Sequence, residues 1–129
     1  MKSVAIISSD WRFRALLRAQ LLEEGFRVRA SNSVADLSEL INGHSPDPDL
    51  LVADVGGFAG AEVNNLMKWV SRSPLWIVAP AGHPGAKAIA AGRQGKVERV
   101  FSRPLNLGDF VEVIKRRLMP AGNELAGHP

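Results

Sequence analysis

Five short strand-like runs, three of them wholly apolar, each followed by a segment with helical spacing, constrain this chain more than any other feature. Residues 4–7 are uninterruptedly apolar and mostly β-branched, the mark of a strand covered on both faces. Phe13, Leu16, Leu17 and Leu21 then recur as one inward face of a helix that Gly25 stops, with Asp10 or Ser9 as its cap. Residues 27–30 read as a second strand, and Ser33 to Asp36 resemble a capping box opening a helix through Leu37, Leu40 and Ile41. Pro46 and Pro48 make residues 44–49 a loop. Residues 50–53 repeat the buried-strand pattern and end on Asp54, before a loop with Gly56, Gly57 and Gly60. A helix is expected over 61–70, a strand over 75–79, a short helix over 85–91 and a strand over 97–102. Asn106 caps a last helix with Phe110, Val113, Ile114 and Leu118 inward.

Strict alternation in 129 residues implies a parallel five-stranded sheet wrapped by helices on both sides, a three-layer α/β/α sandwich. One domain is expected over residues 1–119, with 120–129 as a flexible tail or the start of a linker. In doubly wound sheets the working site lies beyond the carboxyl ends of the strands. The residues delivered there are Ser8, Ser9, Asp10, Asp54, Ala79, Pro80, Arg103 and Pro104.

Composition removes several classes. With no cysteine there is no disulfide framework, thiolate nucleophile or iron–sulfur cluster. The net charge is only +3 and no block of five Lys/Arg occurs, so a dedicated nucleic-acid binder is not expected. No apolar stretch reaches the roughly 20 residues of a membrane helix, and residues 4–7 are too short for a secretory core. The expected location is cytoplasmic. His44, His83 and His128 sit in loops or the tail without metal-ligand spacing, so no metal site is expected from them. Trp69 and Trp76 are expected to pack in the core or at its margin. Trp11 follows the site loop and is the candidate to cover the pocket.

Over about residues 3–118 the sequence resembles the receiver domain of bacterial two-component response regulators, a CheY-like, flavodoxin-like fold. The resemblance rests on Asp54 at the end of its apolar strand, on Leu22, Glu23, Glu24, Gly25 and Phe26 at the turn after the first helix, and on Phe101, Ser102, Arg103 and Pro104. It implies a phosphoacceptor role for Asp54, with an acidic pair after the first strand holding Mg²⁺, a hydroxyl residue after the fourth strand and a lysine after the fifth. At those positions this chain has Ser8 and Ser9, Ala79 and Arg103. That is the pattern of a degenerate, or pseudo-receiver, site. Mg²⁺ is expected to bind weakly or not at all, because serine hydroxyls bring no charge. A strand ending one residue later makes Ser9 and Asp10 the pair instead, while Asp10 as a helix cap is the simpler role. Asp54 is either a retained acceptor or a structural residue, and Arg103 can offer it a bidentate guanidinium.

The resemblance implies a signalling module and not an enzyme, working by protein–protein contact or self-association independently of phosphorylation. The surface it implies, on the fourth helix, fifth strand and fifth helix, carries Arg93, Lys96, Arg99, Val100, Asp109, Glu112, Lys115 and Arg116. Val100 stands where such domains place a moving aromatic residue. The alternatives are a phosphorelay receiver using Asp54, or the N-terminal receiver-like domain of a TadZ/CpaE-type pilus-assembly ATPase. A nucleotide-binding domain is disfavoured, since residues 7–10 offer no glycine-rich phosphate cradle.

Overall fold

The structure, a computed structural model, describes residues 1–36, 47–67, 73–84 and 97–119. Its strands are β1 (Ser3–Ser8), β2 (Arg27–Ser31), β3 (Leu50–Asp54), β4 (Leu75–Pro80) and β5 (Val97–Arg103). The described helices are α1 (Trp11–Glu23), α2 (Gly60–Met67) and α3 (Leu107–Leu118). All strand pairs are parallel, in the order β2-β1-β3-β4-β5. This is the doubly wound α/β arrangement expected from the sequence, with its reversal of strand order beside β1 and β3. The helix expected over 85–91 and most of the one opened by Ser33 lie outside the described residues.

Both faces of the sheet are covered, and the strands divide their side chains between them with period two. Val4, Ile6, Leu50, Val52, Trp76 and Val78 meet Phe13, Leu17 and Leu21 of α1 and Phe110, Val111, Ile114 and Leu118 of α3. Ala5, Ile7, Leu51, Ala53, Leu75, Ile77 and Ala79 meet Val63 and Leu66 of α2 on the other side, with Val34, Val55 and Phe58. Trp76 is fully inside, its ring 5.2 Å from Phe101 and 6.2 Å from Phe110, and those two rings meet edge-on at 5.0 Å. Among the described residues no helix is long and apolar enough to cross a membrane.

α1 ends as the sequence suggests. Gly25 takes a φ of +93°, which a side chain would strain, and Phe26 N–H and Gly25 N–H donate to the carbonyls of Leu21 and Leu22. Phe26 and Leu21 then pack in the same core. The inward face of α1 is narrower than its spacing indicated, because Leu16 is 50% exposed. Phe13, Leu17 and Leu21 take the sheet side, and Leu16, about 100° round the helix from Leu17, turns outward. In α3 the buried set includes Val111, which the sequence reading passed over, while Val113 is only partly buried.

Replacing Phe110 with alanine empties the centre of the aromatic cluster and should cost about 3–5 kcal/mol in urea denaturation. Leu16→Ala should change stability by less than about 0.5 kcal/mol in dilute protein, as a surface substitution does.

Candidate functional site

The register of the sheet brings the site together. Ser8 of β1 is paired with Asp54 of β3, Asp54 with Val78 of β4, and Ala79 with Ser102 of β5. The ends of four strands therefore come together: β1 and β3 finish level with Val78, β4 and β5 run on to the paired Pro80 and Arg103, and Ser9 and Asp10 follow β1 as Val55 and Gly56 follow β3.

Asp54 is buried, and its Oδ2 accepts two hydrogen bonds, from Ser8 Oγ at 2.8 Å and from Arg103 Nη1 at 3.1 Å. The second arm of the same guanidinium, Nη2, donates to Asp10 Oδ2 at 3.1 Å. Arg103 thus does not grip Asp54 with both arms, as the sequence reading allowed, but divides its fork between two carboxylates. The guanidinium lies 5.0 Å from the centre of the Phe13 ring, which gives its flat face an aromatic wall. Ser8 Oγ also accepts Asp10 N–H at 3.1 Å, so its one proton is directed to Asp54. Arg14 Nη1 donates to the Ser8 carbonyl at 2.6 Å.

Asp10 performs the capping role expected of it and a second one that was not expected. Oδ1 caps α1, accepting from Arg12 N–H at 3.0 Å and Phe13 N–H at 3.2 Å, and Oδ2 holds Arg103. The Phe13 N–H first, then the Arg103 hydrogen bond and the Arg12 N–H, hold this carboxyl below the usual aspartate range, against a desolvation that exceeds the effect of the Arg103 hydrogen bond taken alone. A capping carboxylate has one oxygen to spare and an arginine has a second arm to place. That pairing was the available signal, and the sequence reading had linked Asp10 only to a metal or to the helix.

The other expected site residues fall around this core. Ser9 is exposed and lies against Gly57, where any side chain on Gly57 would collide with its Oγ. Ala79 is buried among the α2-facing residues and brings no hydroxyl. Pro80 leans over Gly56, close enough that a side chain there would have to displace it. The Arg103–Pro104 peptide bond is cis. Trp11 does not cover the pocket: as the first residue of α1 it points outward and is 66% exposed.

The donor set does not suit Mg²⁺. Asp54 Oδ2 is saturated by a hydroxyl proton and a guanidinium, and the second carboxylate nearby is drawn to the same guanidinium. Among the described residues no group of three or more carboxylate, histidine or cysteine side chains is placed to hold a metal ion. A divalent cation there must compete with a resident positive charge for both of its anionic ligands.

On the surface named from the sequence, Arg93 and Lys96 lie outside the described residues. Arg99 is exposed but lies over Phe101 at 4.6 Å and Trp76 at 5.5 Å. Val100 is half-buried against the α2-side core. Lys115 is held by Glu24 of α1 at 2.9 Å and by Glu112 at 3.3 Å, and Arg117, not singled out before, makes a two-pronged pair with Glu98 at 3.0 and 2.8 Å. The Arg117 pair, and then the Trp76 N–H at 3.1 Å, lower the carboxyl of Glu98. Asp109 and Arg116 are exposed.

The lowered Asp10 carboxyl has a definite sign in acid. Its contribution to stability is complete above about pH 4, the ordinary aspartate range, and is lost as pH falls through the depressed folded value. Asp10→Ala should therefore be less stable than wild type at pH 7 by about 1 kcal/mol from the lost cap, with the gap narrowing as pH falls through the depressed folded value. Urea denaturation at neutral pH and in acid checks it.

No family model matches the chain, and no curated protein matches it. Solved structures do. A CheY-like response regulator receiver domain protein from Methanospirillum hungatei superposes with a TM-score of 0.74 at 19% identity, over 96% of this chain and 98% of that one. A response regulator receiver protein from Burkholderia phymatum gives 0.71 at 18%, over 89% and 93%. The Thermotoga maritima response regulator TrrA, solved with Mg²⁺ and a beryllium fluoride, gives 0.65 at 16%, over 92% and 100%. At these identities the likeness is one of architecture, and the chain has the CheY-like fold that response regulator receiver domains share.

Proposed function

We propose that this chain is a receiver-type signalling domain whose acceptor-position aspartate is held permanently by a protein cation, so that it acts through constitutive protein contact. The observation that carries this reading is the Arg103 guanidinium, bonded at 3.1 Å to both Asp54 and Asp10. Phosphoryl transfer to a carboxylate depends on positioning and on neutralising the incoming group's charge. Here the aspartate's Oδ2 is engaged by Ser8 and Arg103, and the cation that would receive the phosphoryl oxygens is shared between two carboxylates. Ala79 offers no hydroxyl to follow a phosphoryl group, and Val100 is too short and too stiff at its branched carbon to alternate between buried and exposed positions. With neither moving part present, a ligand at Asp54 has no second state to favour.

The face used for contact is the one around β5 and α3, with the basic residues Arg93 and Lys96 preceding β5, Arg99 and Arg116, and with Lys115 serving to tie α3 to α1. The chain is a binding module without an enzymatic role. A second reading has one observation in its favour: among the described residues Asp54 Oδ1 receives only a long contact, 3.5 Å from Gly56 N–H on the loop side. In that reading Asp54 still accepts a phosphoryl group.

Acetyl phosphate with Mg²⁺ separates the two. Intact mass should show no phosphoryl adduct on the wild type, and the amide spectrum of β5 and α3 should not move. An adduct abolished by Asp54→Asn would overturn the constitutive reading. The combined variant Ser8→Asp, Ser9→Asp, Ala79→Thr, Arg103→Lys should bind Mg²⁺ and become labelled. If it folds and stays inert, the Gly56–Gly57 loop and not the missing charges is the dominant defect.

A further inference from the structure

We draw no further inference here: the strongest candidate, the outward face of α1 on which Trp11, Leu16 and Leu22 are exposed among Arg12, Arg18 and Glu23, is an apolar patch bordered by charges of both signs, and nothing in the structure shows what covers it.

Discussion

Burial of β1, β3 and β4 on both faces is the constraint on which everything else rests. Each of these strands lies inside for nearly its whole length, so neither face can slip against its helices without exposing apolar side chains. Register is therefore rigid, and with it the level at which the strands end. Ser8 and Asp54 are neighbours because Ile6 and Val52, Ile7 and Ala53 are neighbours below them. A 2.8 Å hydrogen bond between two side chains 46 residues apart is a consequence of packing well beneath it.

The edges of the sheet are built differently. β5 buries only Val97 fully and alternates weakly, and its outer residues Glu98 and Arg99 are fastened by Arg117 and by the Trp76 and Phe101 rings. Surface pairs of this kind add little stability singly. Their effect is to fix the path of an edge strand whose last residue, Arg103, must reach two carboxylates. The same is true of Lys115, which joins α3 to α1 through Glu24 and so steadies the helix whose cap is Asp10.

What the sequence made legible follows from which interactions have a period. Strands buried on both faces, the Gly25 stop and the Asn106 cap are local or repeat along the chain, and all of them stand in the structure. Leu16 shows where periodicity fails: the i, i+3, i+4 pattern says which residues share a side of a helix, not how wide a side the sheet can accept. The candidate site was legible as a set of residues at strand ends, since topology alone delivers them. Its pairing was not. Arg103 and Asp10 are 93 positions apart, and whether a guanidinium places both arms on one carboxylate or one on each depends on ångström-scale distances that no spacing encodes.

Ser8, Arg103 and Asp10 are electrostatically coupled, and it is their combination that gives a closed arrangement around Asp54. With Ser8 beside Asp54, one positive charge serves two carboxylates, and the excess negative charge sits on Asp10, where the N-terminus of α1 and water can carry it. A carboxylate in place of Ser8 would stand within hydrogen-bonding distance of a buried anion and would need a further cation. Arginine suits this role better than lysine, because only a planar fork can touch two acceptors at fixed separation while its face rests on Phe13. The serine, the arginine and the capping aspartate therefore act as one unit, in which a single cation belonging to the protein serves two carboxylates.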